Sequence, residues 1–184
     1  MEARKSMSVK TMVLIAVMAA VTCVLGPLSV PIGVVPVSFT NLAIYLTIYI
    51  LGCKKGTVSY LVYLAIGLVG VPVFSSFTGG AGKLLGPTGG YLIGFIFMAL
   101  IFGVFRDRSD CRLVPCLCGM VLGTIVAYAF GTAWLTVSAG MSFYQALAAG
   151  VLPFIGGDAA KIIIAALVGP QISRRLRQAG ILNR

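Results

Sequence analysis

Three properties of the 184-residue chain predict an all-α membrane protein of six transmembrane helices. First, 59% of its residues are hydrophobic and only 10% are charged, against roughly 25% charged in soluble domains; the mean hydropathy is +1.06. Second, the apolar residues form runs of span length, broken by glycine, proline and short basic segments. Third, the net charge of +10 sits between those runs. That is the positive-inside pattern of a membrane protein rather than a basic face for nucleic acid. The length suits a single integral-membrane domain, 1–184, with room for about six spans of ~20 residues.

The spans expected in order are 10–25, 37–52, 57–70, 88–105, 113–137 and 153–171. The first follows Arg4, Lys5 and Lys10 and stops at Gly26-Pro27. It resembles a signal peptide, but the apolar stretch runs on toward Pro27 and further spans follow, so a transmembrane helix is expected. The second and third flank Lys54-Lys55. At 1.5 Å per residue, ~15 residues reach only ~23 Å of a ~30 Å hydrocarbon core, so shelter by other helices or local bilayer thinning is expected there. The fourth and fifth flank Arg106, Arg108 and Arg112, and the sixth precedes Arg174, Arg175, Arg177 and Arg184. With the N-terminus inside, all of these basic residues face the cytoplasm. Lys83 is left outside and Lys161 within the sixth span, so both ends are placed inside.

The chain has no histidine. Of its acidic residues, Glu2 is terminal, Asp107 and Asp110 lie in a basic loop, and only Asp158 is at membrane depth. A His/carboxylate metal site and His-based catalysis are thereby excluded, and no metal is expected. An intramembrane enzyme built on Asp158 lacks a second carboxylate or an activated Ser or Cys. The cysteines, Cys23, Cys53, Cys111, Cys116 and Cys118, match no zinc or disulfide spacing and read as small apolar residues or free thiols. Gly82-Lys83 is followed by Leu84 rather than Ser or Thr, so the phosphate-binding loop pattern is absent.

Asp158 and Lys161 carry the chemistry. An ionisable group at membrane depth costs roughly 3 kcal/mol on insertion scales, so such groups are usually paired and functional. Three residues apart on a helix, these two share a face and can touch each other or one ligand. The alternative is a structural ion pair. On the same outer side lies the longest connection, VPVFSSFTGGAGKLLGPTGG (71–90), rich in glycine (Gly79, Gly80, Gly82, Gly86, Gly89, Gly90) and bounded by Pro72 and Pro87. Glycine lets a backbone approach a ligand closely, and Phe74 and Phe77 call for burial, so an ordered lid or pocket floor is expected. Thr88 is a candidate N-cap of the fourth helix, whose N-terminus would favour an anionic group. Asn41 is placed to bond a ligand or another helix. Tyr91, Tyr128, Trp134 and Tyr144 read as pocket walls or interfacial belt residues, the belt reading being favoured for the last two. Ala16 and Ala20 form a small-xxx-small pair on which another helix can pack.

These stretches resemble the BioY family, the biotin-specific S components of energy-coupling factor (ECF) transporters. The resemblance rests on PVFSSFTGGAGKLLGPTGGYLIGF, on Pro36 to Phe39, on VLPFIGGDAAK (Val151 to Lys161) and on the Ala16/Ala20 spacing. It implies a six-helix subunit that captures biotin from outside, without catalysis, cofactor or metal. It also implies docking through Ala16 and Ala20 on a membrane coupling subunit that carries two cytosolic ATPases, in the plasma membrane of a prokaryote. The residues it points to for biotin are Asp158, Lys161 and the glycine-rich segment. Lys83 is a second cation there, and Phe74, Phe77 and Tyr91 are candidate covers for the apolar part. Thr40-Asn41 stand where the family often has Gln-Thr, a departure that weighs against a ligand role for Asn41. An S component for another vitamin and a purely structural membrane subunit remain open at this point.

Overall fold

The computed structural model describes residues 8–31 and 34–182; Glu2, Arg4, Lys5 and Arg184 lie outside them. α1 runs Val9–Leu25, and Ser8 Oγ accepts from the Thr11 amide at 3.3 Å to cap it. A short antiparallel ribbon follows, β1 (Ser29–Val30) against β2 (Val37–Ser38). The ribbon departs from a purely helical chain and delays the second helix from residue 37 to Thr40. Pro36 and local Ser38–Thr40 bonding (3.0 Å) oppose helix there.

α2, Thr40–Leu68, takes in the expected second and third helices and breaks at Gly52, where φ is 80°. Its arms, 40–51 and 53–68, fold back on each other: a Cβ at Gly56 would lie 3.3 Å from Ile48 Cα, whereas eight residues of straight helix span about 12 Å. Glycine is required at 52 because an L side chain resists this φ and its Cβ would meet Asp107 Oδ1 at 3.0 Å. Asp107 Oδ2 accepts from the Cys53 amide (3.0 Å) and Arg106 donates to the Tyr49 carbonyl (2.6 Å), so the C-terminal end of the fourth helix, rather than a basic loop, caps both arms. Ser59 Oγ donates to the Ile15 carbonyl at 3.0 Å and ties the second arm to α1.

The 71–90 segment is not a structureless loop. It holds a Phe74–Thr78 bridge and a short helix, α3 (Ala81–Leu85). α4 (Gly89–Ser109) and α5 (Leu113–Ser138) follow. Their backbones meet at Gly94, where a Cβ would lie 2.9 Å from Ala127 Cα. α6, Phe143–Gly150, was not expected; Ser142 and Gln145 start it with a reciprocal capping box. α7 spans Ile155–Gln178 and runs through Pro170, past the stop expected at 171. Gly169 serves packing rather than termination: Tyr49 lies against it, 2.2 Å from where a Cβ would stand.

The core joins both arms of α2 to α4, α5 and α7 through fully buried Tyr45, Tyr49, Tyr60, Tyr63, Phe74 and Phe102. Edge-to-face contacts of Tyr45 and Tyr49 with Phe102, centroids 5.8 and 5.0 Å apart, fix the ring geometry. Among the described residues, α4, α5 and α7 are the helices long and apolar enough to cross a membrane. α1 is a shorter apolar helix, packed chiefly on α2.

Candidate functional site

Where α2, α4 and α7 begin, their first turns converge with the middle of α5 on one pocket. It is lined by Ser38, Thr40, Asn41, Thr88, Tyr91, Thr124, Tyr128, Asp158 and Lys161, with Val35, Pro36, Leu92, Phe95, Met98, Ala127 and Phe154 as apolar walls and Ser75 at the rim. Three helix N-termini face this space, a field that favours negative charge.

Asp158 sits in the first turn of α7. Its Oδ1 accepts from Lys161 Nζ at 2.9 Å and from Asn41 Nδ2 at 2.8 Å, and its Oδ2 accepts from Tyr128 Oη at 2.7 Å. Lys161 Nζ also donates to the Ser38 carbonyl at 2.7 Å and stands 5.9 Å from the Phe39 ring centroid. Both charged residues are 7% exposed. A carboxylate accepts about four hydrogen bonds and an ammonium donates three, so each keeps unused capacity. Asp158 can still accept from an N–H, and Lys161 can still donate to a carbonyl or carboxylate. Thr88 Oγ1 lines the same pocket and is buried without a partner. Its side chain makes no cap to α4, which corrects the N-cap expectation: its near-helical backbone, φ −89° and ψ −3°, departs from the extended conformation usual at an N-cap.

The structure therefore brings Asp158, Lys161, Asn41, Thr88 and Tyr91 together. Other candidates fall elsewhere. Phe74 is fully buried in the core, its ring 5.7 Å from Tyr63, and Phe77 is 67% exposed. Gly79, Gly80, Gly82 and Gly86 do not line the pocket. Gly79 packs on its own segment, where a Cβ would sit 2.4 Å from the Val71 carbonyl. Gly89 and Gly90 lie in the first turn of α4 against Leu84 and Trp134. Lys83 is half-buried on α3, and this burial lowers its amine below the ordinary lysine range. Trp134, expected in the belt, donates to the Gly86 carbonyl at 2.9 Å and pins the segment to α5.

Of the two roles open to Tyr128, the structure selects the pocket wall. Thr40, Thr124, Phe95, Met98 and Phe154 were not anticipated there. Phe154, four residues before Asp158, could have been found from helical spacing. Tyr128 is thirty residues from Asp158, and no local pattern links them. Tyr91 donates to the Gly150 carbonyl at 2.7 Å, which seats its ring beside Phe154.

A family model described as the BioY family matches residues 1–178. The probable biotin transporter BioY of Pyrococcus horikoshii is 37% identical over 166 residues, covering 90% of this chain and 98% of that protein. The biotin transporter BioY of Thermotoga maritima is 35% identical over 152 residues, covering 80% and 86%. A crystal structure at 2.1 Å, described as the S-component for biotin from an ECF-type ABC transporter, superposes with a TM-score of 0.83 at 34% identity, covering 94% of this chain and 95% of that one.

Proposed function

The chain belongs to the BioY family, and from that premise we propose that it is the biotin-capturing S component of an ECF-type transporter. It acts as a multi-pass membrane transport subunit and not as an enzyme. The observation that carries the reading is the buried Asp158–Lys161 pair, held by Asn41, Tyr128 and the Ser38 carbonyl inside a largely apolar pocket. Biotin presents an apolar bicycle and chain, ureido N–H donors, a ureido carbonyl and a carboxylate. Asp158 accepts from N–H, Lys161 and Thr88 donate to oxygen, and Tyr91, Phe95 and Phe154 cover the apolar part. A pocket whose buried polar groups need those partners rejects analogues that lack them.

The cavity itself measures about 60 Å³, well below the ~300 Å³ of a site for a drug-sized ligand. Its walls therefore part to admit biotin.

In this reading α1, the two arms of α2, α4, α5 and α7 are six spans. Both termini and the basic segments Lys54-Lys55 and Arg106–Arg112 lie in the cytoplasm of a prokaryotic cell, and the pocket opens outside. Ala16 and Ala20 are exposed on α1, a smooth strip for a membrane coupling subunit that carries two cytosolic ATPases. The Ala16→Trp, Ala20→Trp double variant is expected to bind biotin normally and to lose co-purification with the coupling subunit. Unchanged co-purification would remove that face from the reading.

The deciding experiment is equilibrium biotin binding to the purified chain alone, after ligand is removed by unfolding and refolding. Near-stoichiometric binding without ATP, competed by desthiobiotin but not by thiamine, riboflavin or lipoate, is expected. A folded protein that binds no biotin overturns the proposal.

A further inference from the structure

At the end of the bundle away from the pocket, α1 begins, α2 breaks at Gly52, and α4 and α7 finish. Tyr91 in the pocket wall and Arg106 at this end are separated by fifteen residues of α4, roughly 22 Å of helix. The four elements enclose a cavity of about 570 Å³, and its lining is chemically divided. Lys10, Lys55, Arg106 and Arg177 meet Asp107 and Asp110 around it, while Leu14, Ile50 and Leu51 form an apolar wall.

The charges do not cancel. Asp107 is held by Arg106 at 2.9 Å and by the Cys53 amide, so that carboxylate is committed to closing the α2 break. Asp110 reaches Arg177 only at 3.6 Å, with Asp110 exposed and Arg177 partly so. Lys10 donates to the Gly180 carbonyl at 2.6 Å, a contact that fixes its place without neutralising it. Lys55 has no ion-pair partner among the described residues. Among the described residues, two cations thus face the cavity without a counter-charge. Arg106, also on its wall, is committed to Asp107 and to the Tyr49 carbonyl.

We propose that this cavity binds the phosphodiester headgroup of an anionic membrane lipid. Lys10 and Lys55 meet the phosphate oxygens, and the apolar wall of Leu14, Ile50 and Leu51 takes the glycerol and first acyl carbons. Basic pockets between helices at a membrane surface are suited to such headgroups. The apolar wall is what separates a lipid from free phosphate, which has nothing to place against it. The site shares no lining residue with the biotin pocket, so lipid binding and biotin binding can be read separately on one sample.

The test uses the full-length protein, delipidated in neutral detergent. Lipid retention by native mass spectrometry and thermal unfolding are measured with phosphatidylglycerol, with phosphatidylcholine and with inorganic phosphate. Biotin binding reports folding in every sample. Phosphatidylglycerol is expected to be retained and to raise the melting temperature above the phosphatidylcholine value. Lys55→Gln is expected to weaken retention by about fivefold, the effect of one cation near a membrane surface. Lys54→Gln, which removes an adjacent charge outside this cavity, is expected to change nothing. Equal retention of the two lipids by the unsubstituted protein overturns the proposal, as does an equal loss in both glutamine variants. A melting shift produced as fully by inorganic phosphate assigns the cavity to a free anion and overturns the lipid reading. Biotin affinity unchanged throughout leaves the transport function untouched by any of these outcomes.

Discussion

The two ends of the bundle use the same residue types to opposite effect. In the pocket, Asp158 and Lys161 are both 7% exposed, 2.9 Å apart, with neighbours that fix each donor and acceptor. At the other end, Asp110 and Arg177 approach only to 3.6 Å, with side chains 88% and 36% exposed. An exposed pair contributes about 0–1 kcal/mol, whereas removing one member of a buried pair typically costs ~3–5 kcal/mol because the other charge is stranded. This end of the chain holds most of the described charges, and the pocket holds the two whose loss is most costly. Burial, rather than charge density, therefore marks the proposed substrate site.

The largest expected effect sharpens this contrast. Asp158→Asn or Lys161→Ala should weaken biotin binding by orders of magnitude in titration calorimetry, in line with the ~3–5 kcal/mol of a broken buried pair. Near-native affinity in both variants would erase the difference between the two ends. Phe74→Ala comes next and acts on stability: truncating a fully buried phenylalanine costs about 3–5 kcal/mol, seen as a lower melting temperature. Phe77→Ala, at an exposed position, should stay within about 0.5 kcal/mol. A large loss of biotin affinity in Phe77→Ala with normal melting would restore it to the site. Tyr128→Phe removes one hydrogen bond to a carboxylate, worth about 1.5–3 kcal/mol. Its biotin affinity should fall by one to two orders of magnitude, and an unchanged value would make that bond incidental. Asp110→Ala, at the exposed pair, should likewise shift neither melting nor biotin affinity by more than about 1 kcal/mol.

What was legible in the chain was local. Asp158 and Lys161 meet because helical spacing alone brings residues three apart onto one face. A break between residues 52 and 57 was expected because two apolar arms flank the basic pair Lys54-Lys55, and the structure puts it at Gly52. The glycine-rich segment misled for a physical reason: glycine signals close backbone approach, but the thing approached can be the segment itself, as Gly79 shows against Val71. The sixth span was ended at 171, but α7 runs on to Gln178, and the contact that explains Gly169, the Tyr49 ring, comes from a helix far away in sequence. Asn41 and Tyr128 reach the carboxylate from α2 and α5. Their role depends on how three helices cross, which no window of sequence contains.

The bond from Ser59 to the Ile15 carbonyl has a bearing on how such a chain can change over generations. Its acceptor is main chain, so every side chain on the outward strip of α1 can be replaced without touching the joint that holds the helix in register. α1 is seated by this bond and by its buried Ile15 and Met18 against Ile50 and Leu51, and the outward strip is free to be rewritten. Under the proposed docking through α1, a lineage that exchanges its partner can alter that surface one residue at a time, with the candidate pocket inherited intact.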